Sequence, residues 1–174
     1  MWDLYKKAHT PYKWHSELFK YAKKLKILLF STPFDDTAVD LLESLHCPIY
    51  KVASFEITDL PLIKKIAKTK KPMIISTGMA NLAEIGDAVK TARKNGCKDL
   101  TLLYCVSNYP SEISDFNLNN IEILKNKFKC RVGLSDHSKD NIVAISAVAA
   151  GAEMVEKHID LKKNSKGLDM EFSI

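Results

Sequence analysis

Six apolar runs in this 174-residue chain each stop at a polar residue, and that recurrence restricts the fold more than any other feature. They are LLFSTPF from Leu28, YKVASFE from Tyr50, MIISTGM from Met73, TLLYCVSNYP from Thr101, GLSDHS from Gly133 and EMVEKHID from Glu153. The first four close on Ser, Thr or Glu, and the last two on histidines, His137 and His158. A stretch with helical apolar spacing follows each of the first five. A strand buried on both faces reads as a continuous apolar run, and a β/α barrel displays the polar residues at its strand ends.

Thr10-Pro11 reads as a helix opening, a capping threonine with proline in the first turn. Trp14, Leu18, Tyr21, Ala22 and Leu25 recur at helical spacing and carry that helix to about Lys24. Strands are expected at 27–30, 51–53, 73–76, 102–105, 132–134 and 153–157. The helices between them start near Asp35 or Asp36, Asp59, Asn81, Asn119 and Asp140.

Such alternation implies a parallel sheet with right-handed crossovers. An open doubly wound sheet is the rival, and it often carries a glycine-rich phosphate loop at one switch point. Neither GxGxxG nor GxxxxGK[ST] occurs here, whereas every strand end is polar. The expected fold is therefore α/β, a TIM-type (β/α)8 barrel. A complete barrel has eight strands and about 250 residues, so residues 1–174 are expected to be a fragment of about six strand–helix units. The first two units are expected to be absent.

The net charge of +5 is modest, and Lys64, Lys65, Lys68, Lys70 and Lys71 fall on outer helix faces. Without interleaved aromatics these lysines do not form a nucleic-acid patch, although a mildly basic surface can attract a phosphorylated substrate. Cys47, Cys97, Cys105 and Cys130 lack CxxC or metal-type spacing, which fits reduced thiols of a cytoplasmic protein. No run approaches the ~20 apolar residues of a membrane span, and Met1 is not followed by a secretory pattern. A soluble cytoplasmic protein is expected.

His137 and His158 end the fifth and sixth runs, so adjacent strands would bring their imidazoles to one mouth. Two neutral imidazoles suit Mn²⁺, Fe²⁺, Co²⁺ or Zn²⁺ and leave positions for water and substrate oxygens. The plainer reading is one loop-capping histidine and one packed one. His9, His15 and His46, on helices or loops, read as ordinary. Lys51 interrupts an apolar run; it could contact a phosphate or carboxylate, form a Schiff base, or snorkel to solvent. Ser54 and Glu56 follow at that strand's exit.

Thr32, Ser76, Thr77, Ser107 and Ser135 supply hydroxyls at the other ends. Each alone reads as a turn cap, but together they suit a polyanion or carbohydrate cradle. Gly78 permits close backbone approach, Tyr109-Pro110 is a rigid aromatic element, and Asp136 is either a partner of His137 or a helix-start acid. Asp169 falls in a polar loop, where exposure is the default.

In these residues the chain resembles the sialic acid synthase family. The matching runs are FSTPF, YKVASFE, IISTGM, LLYCVSNYP, GLSDHS and VEKH, in order and across essentially the whole chain. AHTPYKWHSELF and KVASFE are most similar to the pseudaminic acid branch. The resemblance implies condensation of phosphoenolpyruvate with an N-acetylated amino sugar, with a divalent metal, commonly Mn²⁺. N-acetylneuraminate or legionaminate synthesis is the near alternative. A lysine-dependent aldolase and a non-catalytic metal- and phosphate-binding piece are the more distant ones.

By the same resemblance, His137 and His158 would hold the metal. Lys51, Thr32, Ser54, Ser76 and Ser135 would hold phosphoenolpyruvate, with Ser107 where the N-acetylneuraminate branch carries Asn. Glu56, Tyr109 and Asp169 would contact the sugar, although the family's Gly-Pro-Asp loop reads Gly167-Leu168-Asp169 here. The family's first strand carries a glutamate that manages water, and its second carries another phosphate-binding lysine. Both are expected to be missing, with the C-terminal antifreeze-like domain that reaches into the partner's site in a homodimer. The piece alone is therefore expected to be inactive.

Overall fold

The computed structural model describes residues 9–161 and 169–174. Five parallel strands form one sheet in sequence order: β1 (Tyr50–Val52), β2 (Met73–Ser76), β3 (Leu100–Cys105), β4 (Arg131–Asp136) and β5 (Val155–Lys157). The helices are α1 (Tyr12–Leu25), α2 (Asp36–Ser44), α3 (Leu60–Lys68), α4 (Leu82–Lys94), α5 (Asn119–Phe128) and α6 (Ile142–Ala149), one in each crossover after α2.

The helix starts have local causes. The Asp35 carboxylate accepts from the Ala38 N–H, and Asp59 from that of Leu62. Asn81 and Glu84 form a reciprocal capping box at α4. Caps of this kind contribute about 1 kcal/mol each. Two expected starts differ. α1 begins after Pro11 with no side-chain cap, so Thr10 does not cap it. The Asp140 carboxylate takes the Ile142 N–H, which moves the start of α6 two residues on.

Strand residues of one parity pack under the helices. Tyr50, Val52, Met73, Ile75, Leu100, Leu102, Val132 and Leu134 join Val39, Ile63, Ile66, Val89 and Ile121 in one core. The other parity faces the concave side. There Lys51 Nζ lies 3.6 Å from Glu156 Oε1, joining the two outermost strands of the sheet. In a flat sheet those strands would stand about 19 Å apart, four inter-strand spacings. A lysine and a glutamate cannot span that distance, so the sheet is curled into a half-barrel.

The first expected strand is not formed. In 27–30 the chain makes no ladder, and Ser31 contributes a single parallel bridge to Tyr50. Ile27 and Leu28, expected to be buried on both faces, are exposed. A strand paired at one point, with no partner on its outer side among the described residues, has neither the hydrogen bonds nor the packing to close over them. The apolar stripe of α1 is likewise turned out: Trp14, Leu18, Tyr21 and Leu25 are exposed, while His15 is buried and Phe19 packs against the core.

All four cysteines are free thiols, three of them buried. Among the described residues no helix is long and apolar enough to cross a membrane. Lys64, Lys68 and Lys70 face solvent, whereas Lys65 pairs with Asp40 at 2.8 Å and Lys71 with Glu43 at 2.5 Å.

Candidate functional site at the strand ends

Strand alternation builds the site. β4 and β5 pair Ser135 with Glu156 and Asp136 with Lys157. Ser135 Oγ donates to Glu156 Oε1 at 2.7 Å, on the carboxylate that also meets Lys51. One residue beyond each strand, the His137 and His158 rings meet edge to face with centroids 5.3 Å apart. Tyr109 lies over His137 at 4.3 Å, and the buried Phe172 packs against both histidines at 5.8 and 4.9 Å. Phe172 arrives because the last residues pair back on the histidine-bearing segment. The Ile174 N–H donates to the His158 carbonyl, and that of Asp160 to the Ile174 carbonyl.

Both imidazoles have one nitrogen committed. His137 Nδ1 lies 3.0 Å from the Val106 carbonyl, which only accepts, so Nδ1 carries the proton and Nε2 the lone pair. His158 Nδ1 lies 3.3 Å from Asp169 Oδ2, which fixes the same tautomer. A histidine held this way presents Nε2 as a metal ligand, so the pair fits a divalent ion. No group of three or more His, Cys, Asp and Glu side chains is arranged for a metal among the described residues. An ion would thus rest on two protein nitrogens and keep positions for water or substrate oxygens.

Charge tunes the two rings in opposite directions. Burial disfavours the His137 cation, but the Cys105 thiol, the Val106 carbonyl and the Glu156 charge outweigh it and leave His137 above its ordinary value. Burial, with repulsion from His137, holds His158 below its own despite Asp169. Burial also opposes ionisation of Cys105, yet its contacts with His137, Ser54 and Ser107 bring that thiol below the usual range.

The turns after β1, β2 and β3 meet beside this pair. The Gly78 N–H donates to Ser54 Oγ at 3.1 Å, and Ser107 Oγ lies 3.8 Å from Cys105 Sγ. A Cβ on Gly78 would stand 2.1 Å from Ser107 Oγ and 2.9 Å from Ser54 Oγ, so only glycine lets the three turns close. Ser76 Oγ is buried with no hydrogen-bond partner, and so is Glu56 Oε2. Buried polar atoms are ordinarily paired, so such orphans mark where a ligand's polar groups would sit, and strand alternation puts Ser76 on the concave face.

The structure thus gathers Ser54, Ser107, Tyr109, His137, His158 and Asp169 at one mouth, with Lys51, Ser135 and Glu156 beneath. Thr32 lines a cleft of about 220 Å³ with His9, His15 and Asp35. Lys51 does not snorkel out; it is 6% exposed and ion-paired. Thr77 is spent on the Leu103 carbonyl. Asp136 turns away from His137 to bond Lys157 and the Ser138 N–H. Gly167 and Leu168 lie outside the described residues. Sequence reasoning missed Glu156, although its place two before His158 puts it on the same face, and Phe172, which lies far along the chain from its partners.

Burial pushes the Glu56 carboxyl above its ordinary value, with its own backbone N–H and the Lys51 charge opposing. A carboxyl raised by folding adds stability while protonated and loses it as pH rises through the raised value. Glu56→Gln, neutral at every pH, is expected to melt higher than the parent near neutral pH, the gap closing as pH falls toward the ordinary carboxylate range. Thermal unfolding across a pH series checks this; a gap that stays constant with pH would count against it.

A family model described as the NeuB family matches residues 1–174. The pseudaminic acid synthase of Helicobacter pylori is 48% identical over 174 residues, 100% of this chain and 51% of that protein. An N,N'-diacetyllegionaminic acid synthase of Campylobacter jejuni is 46% identical over 99% of this chain and 52% of its own length. The crystal structure of an N-acetylneuraminic acid (sialic acid) synthetase from Leptospira borgpetersenii, in complex with citrate, superposes with a TM-score of 0.93 at 37% identity, covering 97% of this chain and 59% of that one. The chain spans about half the length of the curated relatives it matches.

Proposed function

The chain belongs to the NeuB family, and from that membership we propose that it forms the phosphoenolpyruvate and metal side of a nonulosonic acid synthase, with pseudaminic acid as the product. The observation that carries the reading is the adjacent His137–His158 pair, each ring with Nδ1 committed, beside the buried Lys51.

Phosphoenolpyruvate brings several negative charges and needs a cation with neutral donors. Lys51 supplies the cation, and the Ser54, Ser76, Ser107 and Ser135 hydroxyls supply donors from the neighbouring strand ends. Thr32 joins this set by resemblance alone. The N-acetylated amino sugar is neutral and rich in hydroxyls, which suits Glu56 and Asp169 as acceptors and Tyr109 as a flat apolar wall.

A divalent ion on His137 and His158, Mn²⁺ by resemblance, supplies Lewis-acid polarisation of an aldehyde oxygen. The Val106 carbonyl and Asp169 hold the two rings in the ligand tautomer, and Phe172 and Tyr109 pack against them. In the reaction, C3 of phosphoenolpyruvate forms a bond to the open-chain aldehyde carbon and water adds at C2. The tetrahedral product then loses inorganic phosphate by C–O cleavage. Lys51 stays beside the phosphate as that negative charge departs. Cytoplasmic placement and a homodimer belong to the same reading.

The test is a hybrid in which this chain replaces the matching half of the Helicobacter pylori relative. Phosphate release is measured with phosphoenolpyruvate and a sugar panel, and the 174-residue chain alone is expected to be silent. Turnover of N-acetylmannosamine but not of a bis-acetamido trideoxy sugar would move the product to N-acetylneuraminate. Borohydride trapping of substrate on Lys51 would turn the reading to an aldolase, a use that its ion pair with Glu156 disfavours. No phosphate release from any sugar would end the synthase reading.

A further inference from the structure

We propose that Asp136 and Lys157 are a positioning pair that sets the separation of His137 and His158, an inference that rests on the metal reading of those histidines. Three successive cross-strand contacts link the ends of β4 and β5: Ser135–Glu156, Asp136–Lys157 and His137–His158. The first and third lie on the concave face. The second points the opposite way, so neither of its residues reaches a substrate.

That second contact is closed and fully paired. Asp136 is 0% exposed, and the Lys157 side chain is 7% exposed. Lys157 Nζ donates to Asp136 Oδ2 at 2.9 Å, to the Ser138 carbonyl at 2.7 Å and to the Asp140 carbonyl at 3.1 Å. Its three protons therefore have three acceptors. Asp136 Oδ1 takes the Ser138 N–H at 2.8 Å. Together these bonds tie the loop that follows β4 to β5.

Stability does not require such a pair, because apolar residues of similar volume often replace a buried ion pair without loss. What the pair adds is fixed geometry. Each partner is bonded through the backbone to one histidine, so a slip of the ammonium against the carboxylate displaces both imidazoles together. Outer-shell groups that hold metal-binding histidines typically matter 10- to 100-fold in affinity, roughly the range expected here.

The test is Co²⁺ titration of the chain, followed by visible absorption, with thermal unfolding recorded in parallel. Asp136→Asn, and the paired Asp136→Asn/Lys157→Gln variant that leaves no lone buried charge, are expected to bind Co²⁺ about 10- to 100-fold more weakly with a changed absorption band. Lys157→Arg, which keeps the charge, is expected to fall between them and the parent. Glu43→Gln removes the charge that pairs with Lys71, outside the site, and serves as the destabilised control, with unchanged Co²⁺ affinity.

The inference is overturned if the paired variant binds within about twofold of the parent with the same spectrum. It is equally overturned if Glu43→Gln weakens binding as much, since the loss would then be general destabilisation. His158→Ala identifies the binding as that of the histidine pair. A parent that binds no Co²⁺ through His158 would remove the metal reading, and this inference with it.

Discussion

His158→Ala in the hybrid synthase is expected to lower phosphate release by on the order of 10³-fold or more, because polarisation by a metal contributes several kcal/mol to such a reaction. Among the described residues the ring is one of two nitrogen donors brought together at this mouth, so its loss leaves no chelating pair. His137→Ala should fall to the same floor. The double variant should be no worse than either single one, since ligands of one ion act as a unit. Steady-state rates at saturating Mn²⁺, with Mn²⁺ binding followed by electron paramagnetic resonance, check both halves of the expectation. A single variant that keeps a tenth of the parent rate (roughly 1.4 kcal/mol lost) would assign the chemistry to other groups.

Lys51→Met is expected to raise the KM for phosphoenolpyruvate on the order of 100-fold, with a smaller change for the sugar. A hydrogen bond to a charged group is worth about 1.5–3 kcal/mol. Removing the ammonium also leaves the Glu156 carboxylate beside the incoming anion, held only by Ser135. The paired Lys51→Met/Glu156→Gln variant separates these effects: part of the affinity should return once the carboxylate is neutral. Equal KM in the parent and Lys51→Met would show that the anion binds elsewhere.

β2 was readable because Met73, Ile74 and Ile75 form an unbroken apolar run between helices that start at the capping residues Asp59 and Asn81. The run at 27–30 has the same local signature, yet only Ser31 bridges to a neighbour. Local pattern states what a segment can do, and pairing needs a partner on the next strand. The α1 spacing correctly announced a helix, Tyr12–Leu25, but spacing alone does not say which side finds a core. Within the site, His137 and His158 were visible as strand-end residues. Glu156 required counting one alternate position back from His158, and the Asp136–Lys157 contact required knowing that β4 and β5 are neighbours in register. Phe172 gave no sequence signal, because its contacts with Tyr109 and the histidines are tertiary.

The contact between Lys51 and Glu156 bears on how the molecule folds. Each strand pairs with the next one along the chain, so the sheet can assemble by short crossovers, from the middle outward. Lys51 and Glu156 stand about a hundred residues apart, and loop-closure entropy makes so distant a contact late unless the intervening strands have already brought the ends together. The ion pair therefore forms after the curl it spans. Interactions absent from the transition state act on the escape from the native state rather than on its formation. Breaking the clasp across the concave face is therefore expected to speed the loss of the curled sheet more than it slows its appearance.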